Sequence, residues 1–318
     1  MKIFVYEYCC AVGLGRDASD PAHAFFREGQ AMRNALVADF AAVEGCSTLT
    51  FDGSAPDTEE ARFREIAAEA DWTVVIAPEF DRILEVRCNW VRESRSRLLG
   101  PSDEAVRLTS DKFALYEHWH NYAVPTPRTW LAKGFWGQHY PVVVKPRDGA
   151  GSTDTDYIET GPIPLRAGAI VQEYVPGRAA SVAFLVGPES RVPLVPTFQR
   201  LSDDGHFQYR GGELPIPGEL AERAVQIASR ALDCVSGLAG YVGVDSVLGS
   251  NPDGSDDRAI EINPRLTTSY IGLRAIAEFN LASAMLAMAK GEAISTLKWR
   301  PNPISFGTDG SFEPANGM

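Results

Sequence analysis

The chain has 318 residues, of which 45% are hydrophobic and 23% are charged, and this composition is typical of a globular protein with two or three lobes. Its formal net charge of −12 argues against extended contact with nucleic acid or an anionic membrane surface, because both require a basic patch. No apolar stretch approaches membrane-spanning length. The five cysteines include no CxxC pair, so neither a disulfide framework nor a zinc site is indicated, and a reducing, cytoplasmic setting is the simplest inference.

Residues 1–100 alternate predicted strands with predicted helices. The strands cover 3–8, 47–51 and 72–77, and the helices cover 25–40 and 59–70. Such alternation implies a parallel sheet, and ligands tend to bind at the carboxyl ends of its strands. Gly13 and Gly15, in the first of these loops, do not form a GxGxxG dinucleotide fingerprint. Glu79 and Asp81, in a later loop, could contact a substrate, although a solvated loop acid is the simpler interpretation of either.

Two lysines follow in settings that suit phosphate. Lys112 lies in a predicted helix at 111–119, and Lys145 ends an apolar strand at 140–146, just before the glycine loop RDGAGST at 147–153. Glycines let backbone N–H groups approach an anion closely, and a lysine beside them is a good phosphate ligand. The alternative is a surface lysine next to an ordinary hairpin turn. The Walker motif GxxxxGK[ST] is absent, which excludes a P-loop nucleotidase at the level of motifs.

The next segment is again predicted to mix strands and helices. Strands are predicted at 181–186, 192–200 and 207–214, the last of them strand or loop, and helices at 219–238 and about 273–290. The residues from Pro301 onward are rich in Pro, Gly and Asn and are predicted to form a tail with little regular structure.

A predicted β-hairpin at 243–263 carries oxygen ligands. Glu261 and Asn263 point to the same face of their strand, because side chains alternate along a strand. Asp245 lies on the paired strand within reach of Glu261. Two carboxylates and an amide oxygen are hard ligands of the kind that Mg²⁺ prefers. The alternative is a solvated polar face, since any half-buried strand alternates in this way.

Taken in order, Lys112, Lys145 with DGAGS, QEYVPG at 172–177, VDSVL at 244–248 and EINPR at 261–265 resemble the ATP-grasp superfamily of carboxylate–amine or carboxylate–thiol ligases. The resemblance implies an α/β protein with the ATP-grasp fold. In that fold the N-terminal parallel α/β lobe, residues 1–100, precedes two α+β lobes that clasp the nucleotide. These are a small lobe at 101–175 with the glycine loop and a C-terminal lobe at 176–300 with the Mg²⁺ site, before the tail at 301–318.

The resemblance also implies roles for individual residues. The nucleotide phosphates would be held by Lys112, Lys145 and the loop residues Asp148, Gly149, Gly151 and Ser152. Adenine would be held by the hinge strand, which is Gln172, Glu173, Tyr174 and Val175. The ligands of Mg²⁺, or of Mn²⁺ in its place, would be Asp245, Glu261 and Asn263. Arg178, Ala179 and Ala180 stand where many members have a Glu for the ribose hydroxyls, so that contact must come from elsewhere or be weak.

The implied chemistry needs little acid–base help from the protein. A carboxylate attacks the γ-phosphate of ATP to give an acyl phosphate and ADP, and an amine then displaces phosphate. Such transfer depends on positioning and charge neutralisation. Lys145, Arg265 and Arg210 are therefore the catalytic candidates, the two arginines because a guanidinium binds carboxylate or acyl phosphate in a bidentate fashion. The histidines are expected to be structural or exposed.

Four segments are similar to the branch of the superfamily that joins the γ-carboxylate of glutamate to tyramine for methanofuran-type one-carbon carriers. They are FVYEY at 4–8, EGQAMRNALVADF at 28–40, YRGGELP at 209–215 and EINPRLTTSYIGLR at 261–274. By this similarity Arg210, Arg265 and the Thr267–Tyr270 loop would lie near glutamate, and Glu7 would pair with the ammonium of the amine. The expected partners are glutamate and a tyramine-like amine, with no nucleic acid and no membrane, and a homodimer is one option. The alternatives are a ligase or kinase-like relative with another acceptor, and a nucleotide-binding protein without catalysis.

Overall fold

Three β-sheets organise the part of the chain that the computed structural model describes, which is residues 1–53, 58–137, 139–149, 151–164 and 166–314. Ala150 of the predicted glycine loop and residues 315–318 of the predicted tail lie outside the described residues. Within the described ranges, no helix is both long and apolar enough to cross a bilayer.

The N-terminal sheet is parallel. Its strands are β1 (Lys2–Glu7), β2 (Ser47–Leu49), β3 (Trp72–Ile76) and β4 (Arg97–Leu98), in the order β2–β1–β3–β4. The helices of this lobe are α1 (Tyr8–Val12), α2 (His23–Ala41), α3 (Glu59–Glu69) and α4 (Ile83–Arg92). Helix α2 covers one face of the sheet and α3 and α4 cover the other, which explains why β1 and β3 are apolar almost throughout. The predicted parallel lobe is confirmed.

Two helices lead from this lobe to the second sheet, and Asp111 lies between them. They are α5 (Asp103–Ser110) and α6 (Lys112–Asn121). The Asp111 carboxylate accepts hydrogen bonds from the backbone N–H groups of Phe113 and Ala114 at 3.1 and 3.0 Å, and so caps α6. This cap places Lys112 in the first turn of the helix.

The second sheet is small and antiparallel. Its strands are β5 (Thr129–Leu131), β6 (Val142–Pro146), β7 (Asp156–Ile158) and β8 (Ala169–Glu173), in the order β5–β8–β6–β7. The glycine loop connects β6 to β7, and the hinge at 172–175 begins in β8 and extends two residues past its end.

The third sheet is the largest and is antiparallel where its strands pair. Its strands are β9 (Arg178–Val186), β10 (Arg191–Pro193), β11 (Thr197–Leu201), β12 (Tyr209–Leu214), β13 (Gly240–Leu248), β14 (Arg258–Asn263), β15 (Ile304–Phe306) and β16 (Phe312–Pro314). The order is β14–β13–β9–β11–β12–β15–β16, with β10 paired to β9. Helix α7 (Gly218–Asp233) packs on one face, and the other face looks toward the second sheet across a cavity.

The single helix predicted at 273–290 is wrong, because two helices occupy the region. They are α8 (Ser269–Ile276) and α9 (Leu281–Ala289). Ala277 is extended and forms a β-bridge with Trp299, which ends α8. Asn280 then starts α9 by accepting a hydrogen bond from the backbone N–H of Ser283 at 2.9 Å. The apolar residues keep helical spacing on both sides of this break, so the sequence pattern did not indicate it.

The predicted irregular tail at 301–318 also needs correction, because its described part adds strands β15 and β16 to the large sheet. Phe306 is only 1% exposed and belongs to the main core. Its ring lies so close to Gly272 of α8 that a Cβ there would clash with it. The apolar residues Ile304 and Phe306 outweigh the Pro, Gly and Asn around them, because burying them stabilises the edge of the sheet.

Candidate active site

A row of polar side chains crosses the inner face of the large sheet. Glu261 on β14 lies opposite Asp245 on β13, Asp245 lies opposite Ser181 on β9, and Ser181 lies opposite Thr197 on β11. All four line one cavity of about 300 Å³. The residues between them along each strand point the other way and pack beneath α7, because side chains alternate between the two faces of a sheet. The strand alternation therefore gathers these polar groups on the wall of the cavity.

The predicted metal ligands converge in this row. Asn263 donates a hydrogen bond from Nδ2 to Oδ2 of Asp245 at 3.2 Å. Burial and the neighbouring Glu261 both raise the pKa of Asp245. Burial would also raise the pKa of Glu261, but Lys112 and Lys145 outweigh it and lower that pKa below its ordinary value. Two facing carboxylates are thus held close together with an amide beside them.

Both predicted phosphate-binding lysines line the same cavity. The Nζ atom of Lys112 lies 3.4 Å from Oε2 of Glu261 and donates a hydrogen bond to the carbonyl of Gly149 at 2.9 Å. Lys145 comes from β6, and burial lowers its pKa to about 8, against the opposing attraction of Glu261. The cavity thus contains two cationic side chains next to two carboxylates.

The glycine loop lies over this charged region. Gly149, Gly151 and Ser152 line the cavity, and Gly151 and Ser152 have φ angles of 68° and 57° in the left-handed region. Asp148 is exposed and does not line the cavity. Its Oδ2 instead accepts a weak hydrogen bond from the backbone N–H of Asp81 at 3.4 Å, which joins the loop to the N-terminal lobe.

The hinge forms an apolar, aromatic end of the cavity. Its lining includes all four predicted residues, which are Gln172, Glu173, Tyr174 and Val175. The side chain of Gln172 is 5% exposed and donates to Oγ1 of Thr129 at 3.0 Å, so it braces β5. Tyr174 stacks on Phe207 with ring centroids 6.2 Å apart. A planar ring could be held here between backbone groups and aromatic side chains.

The opposite end of the cavity is formed partly by the N-terminal lobe. Arg265 pairs with Glu79, which follows β3, through contacts of 2.8 Å from Nε to Oε1 and 3.0 Å from Nη2 to Oε2. Glu28 of α2 accepts a short hydrogen bond from the hydroxyl of Thr268. Tyr209 of β12 completes this end. The N-terminal lobe therefore contributes the Glu28 side chain to the cavity wall, and its Glu79 holds Arg265 in place.

Two residues predicted near the substrates lie outside the cavity lining. Arg210 is exposed, because it follows Tyr209 on β12 and so points to the other side of the strand. Glu7 is 4% exposed, and its carboxylate accepts hydrogen bonds from the backbone N–H groups of Cys9 and Cys10 at 3.2 and 2.8 Å. It caps the short helix α1.

Sequence reasoning overlooked Glu28, although a signal was present. Met32 and Leu36 follow Glu28 at intervals of four residues, and both are buried. An acid on the apolar stripe of a helix is uncommon unless it has a partner or a function. Tyr209 and Thr197 gave no such signal, because polar residues in alternating strands are ordinary.

The donor set fits a divalent cation only together with other ligands. Within the described ranges, no group of three or more His, Cys, Asp or Glu residues is placed to hold a metal ion. The set is instead two carboxylates, Asp245 and Glu261, with the amide of Asn263. Mg²⁺ commonly binds one or two carboxylates and completes its shell with water and phosphate oxygens, so the residues present fit this cation.

Two family comparisons agree with the geometry. Residues 109–269 match the ATP-grasp domain, and residues 36–106 match the pre ATP-grasp 3 domain. A crystal structure of a protein from Archaeoglobus fulgidus assigned to the ATP-grasp superfamily superposes with a TM-score of 0.75 at 25% identity, over 96% of this chain and 92% of that one. N5-carboxyaminoimidazole synthase from Aspergillus clavatus, in complex with ADP and a ribonucleotide, gives a TM-score of 0.69 at 16% identity, over 96% and 80% of the two chains, and so shows the fold alone.

Two curated relatives are both named tyramine–L-glutamate ligase. The relative from Methanocaldococcus fervens is 28% identical over 92% of this chain and 96% of its own length. The relative from Methanocaldococcus jannaschii is 31% identical over 70% of this chain and 64% of its own length.

The chain belongs to the ATP-grasp family. It is an ATP-dependent carboxylate–amine ligase, and the predicted ATP-grasp fold is confirmed.

Proposed function

We propose that this ligase joins the γ-carboxylate of glutamate to tyramine or a closely similar primary amine, through an acyl phosphate. One observation carries the chemistry: Lys112 and Lys145 line a single cavity together with Asp245 and Glu261. The identity of the substrates is supported by the names of the two curated relatives. A methanofuran-type one-carbon carrier would be the eventual product of such a reaction.

In this proposal ATP lies along the cavity with its base at the hinge. Gln172, Glu173, Tyr174 and Val175 hold the adenine, because this end is aromatic and offers backbone groups. The phosphates lie where Lys112 and Lys145 enter, under the loop that contains Asp148, Gly149, Gly151 and Ser152. Two ammonium groups in a partly dehydrated cavity stabilise the charge that shifts between phosphate oxygens during transfer.

Asp245, Glu261 and Asn263 would hold Mg²⁺, with Mn²⁺ as a substitute. When bound, the cation supplies further neutralisation of phosphate charge. Burial and the repulsion from Glu261 raise the pKa of Asp245, and a positive charge between the two carboxylates would relieve that repulsion.

The reaction balances as two displacements. The glutamate carboxylate forms a bond to the γ-phosphorus and ADP leaves with the electron pair of the broken P–O bond. The neutral amine then attacks the acyl carbon, phosphate leaves, and the amine loses a proton. Lys145 neutralises the phosphoryl group in the first step. Arg265, which lines the cavity, is better placed than the exposed Arg210 to hold the carboxylate or the acyl phosphate.

The proposal is tested by measuring ADP release from purified protein with MgATP, glutamate and a panel of primary amines that includes tyramine. We expect ADP only when glutamate and the amine are both present, with the γ-amide identified by mass. Reactions that lack one substrate, and reactions with an α-amide or γ-amide of glutamate in its place, serve as controls. ADP formed with another amino acid, or with glutamate and no amine, would contradict the proposed substrates.

A further inference from the structure

We propose that Glu28 binds the primary ammonium group of a substrate and thereby fixes where the substrate nitrogen lies in the cavity. The inference rests on the proposed function only in taking the ligands to carry an ammonium group. Glu28 is a carboxylate from helix α2 of the N-terminal lobe, and it enters a cavity whose other charged groups come from the two lobes that follow.

The position of Glu28 in its helix is costly unless something compensates for it. The side chain stands on the same stripe of α2 as Met32, which is 6% exposed, and Leu36, which is 0% exposed. A carboxylate among apolar neighbours loses hydration, and proteins retain such a group mainly where it is paired or has a ligand. Here the stripe ends at the cavity, so the Glu28 carboxylate lies at the wall instead of within the core.

The contacts of Glu28 leave its negative charge without a partner. Its hydrogen-bond donor is the neutral hydroxyl of Thr268. None of the ion pairs found in the described part of the chain includes Glu28, and the nearby Arg265 is already paired with Glu79 through two contacts. Burial raises the pKa of Glu28, whereas Thr268 and Arg265 act in the opposite direction. The carboxylate is therefore oriented and partly desolvated but lacks a counter-ion.

The charges around the cavity make this end selective for a cation. Lys112 and Lys145 lie beside Asp245 and Glu261, whose charges they balance. The Arg265–Glu79 pair is neutral as a unit, so the negative charge of Glu28 is not balanced by a paired cation at this end of the cavity. Directly beside the Glu28 carboxylate an anionic group would be repelled, whereas an ammonium group would gain a charge-assisted hydrogen bond.

The neighbouring side chains complete a site for an ammonium group, which has three donors and no acceptor. The hydroxyl groups of Thr267 and Ser269 and the phenol of Tyr209 line the same end of the cavity and can accept hydrogen bonds. Burial raises the pKa of Tyr209 well above its usual range, and the charges of Glu28 and Asp245 add to the effect. Glu28, Tyr209 and Asp245 line the same cavity, so an ammonium group bound at Glu28 would share that cavity with the carboxylate pair.

Glu7, the residue that the sequence suggested for this role, does not have these properties. Both of its carboxylate oxygens are used by the backbone N–H groups of Cys9 and Cys10, and it does not line the cavity. Glu28 has a free acceptor capacity and an open side, so it is the acid of the N-terminal lobe that a ligand can reach.

The test compares the wild-type protein with Glu28→Gln, which keeps the shape of the side chain but removes its charge. Binding of tyramine, of several other primary amines and of glutamate is measured by calorimetry, with Mg²⁺ and an ATP analogue that cannot transfer its phosphate. We expect at least one ammonium ligand to bind about tenfold or more weakly to the variant, because a hydrogen bond to a charged partner is worth at least that factor. Affinity for the ATP analogue should be unchanged.

Two further variants separate charge from structure. Glu28→Asp keeps the charge on a shorter side chain and should recover part of the lost affinity. Glu44→Gln removes an exposed acid just beyond the end of α2 and should bind every ligand as the wild type does. If an amine is the ligand that weakens, the site holds the acceptor nitrogen, and if glutamate weakens, it holds the α-ammonium of the carboxylate substrate.

Equal binding of every ammonium ligand by the wild type and Glu28→Gln would overturn the assignment, and so would a panel in which no ammonium ligand binds the wild type. The assignment would also be overturned if Glu28→Gln lost as much affinity for the ATP analogue as for the ammonium ligands. Glu28 would then have a structural role. Ammonium binding that depends on Glu28 in a protein that releases no ADP would instead uphold the assignment and overturn the proposed function.

Discussion

Asp245 and Glu261 face each other directly on adjacent antiparallel strands, and Asn263 bonds to Asp245 from the same face. Like charges placed opposite each other destabilise a pair of strands, and enclosure in the cavity strengthens the repulsion. Burial and the repulsion from Glu261 both raise the pKa of Asp245, so a positive charge beside the pair would be favourable.

Asp245→Asn should separate stability from activity. Removing one of two facing carboxylates relieves repulsion, so the Tm measured in EDTA should rise by about 2 °C or more. The same change should lower kcat/KM with MgATP by about 100-fold or more, because charge stabilisation at the phosphates is lost. Differential scanning fluorimetry and the ADP assay measure the two effects. A fall in Tm with full activity would show that the pair has a structural role.

Lys145→Ala should abolish ADP production while leaving the protein folded. Burial already lowers the pKa of Lys145 to about 8, so removing this ammonium costs little stability, whereas its loss from the proposed phosphate site should reduce kcat by about 100-fold or more. Lys133→Ala, at an exposed lysine in the same lobe, is the matched control. Normal turnover in Lys145→Ala would contradict the proposed role of this residue in binding phosphate.

Substitution of the two arginines that the sequence placed near the substrate should affect kcat/KM differently. Arg265→Lys keeps the charge but loses the planar fork that pairs with Glu79 and could reach an anion, so kcat/KM should fall by about tenfold or more. Arg210→Lys changes an exposed side chain outside the cavity and should have no effect. The opposite pattern in steady-state kinetics would move the anion site to the outer face of β12.

Asp111→Asn should reveal a pH-dependent contribution to stability. Burial tends to raise the pKa of Asp111, but the bidentate bond from Arg147 and the N–H groups of Ala114 and Phe113 lower it overall. A carboxyl whose pKa is lower when folded stabilises the protein above its unfolded pKa of about 4, and this stability is lost as the pH falls through the folded value.

The wild type should therefore exceed Asp111→Asn in stability at pH 7 by about 1 kcal/mol, since the pair is partly exposed, and the difference should shrink below pH about 4. Urea unfolding at several pH values measures this difference. Because Asp111 also positions Lys112, affinity for ATP should weaken at pH 7. A stability difference that is constant between pH 7 and pH 3 would contradict a contribution from the ionised carboxylate, because Asn also caps helices well.

Gly151→Ala should hinder the glycine loop. A Cβ at Gly151 would lie 2.5 Å from Cε1 of Phe25 in α2, and the φ of 68° disfavours any side chain there. We expect the KM for ATP to rise by about fivefold, which corresponds to about 1 kcal/mol. Gly134→Ala has open space around it and a φ outside the left-handed region, and it should behave as the wild type. Equal kinetics of all three proteins would show that the loop tolerates a side chain at position 151.

The sequence by itself determined much of the site, because short windows carry that information. Alternation in EINPR places Glu261 and Asn263 on one face wherever the strand lies, and the structure places both on the cavity wall. An apolar run that ends in Lys145 before a glycine loop has few structural interpretations. These features depend on residues that are near each other in the chain.

Tertiary structure alone decided which acid and which arginine face the cavity. Glu28 meets Thr268 across 240 positions of sequence, and Arg265 meets Glu79 across 186, so no local pattern could reveal either contact. From the sequence, Glu7 and Arg210 were also candidates for contact with the substrates. In the structure Glu7 caps helix α1, and Arg210 lies on the exposed side of its strand. Long-range packing sets these choices, because it determines which side of an amphipathic element meets another lobe.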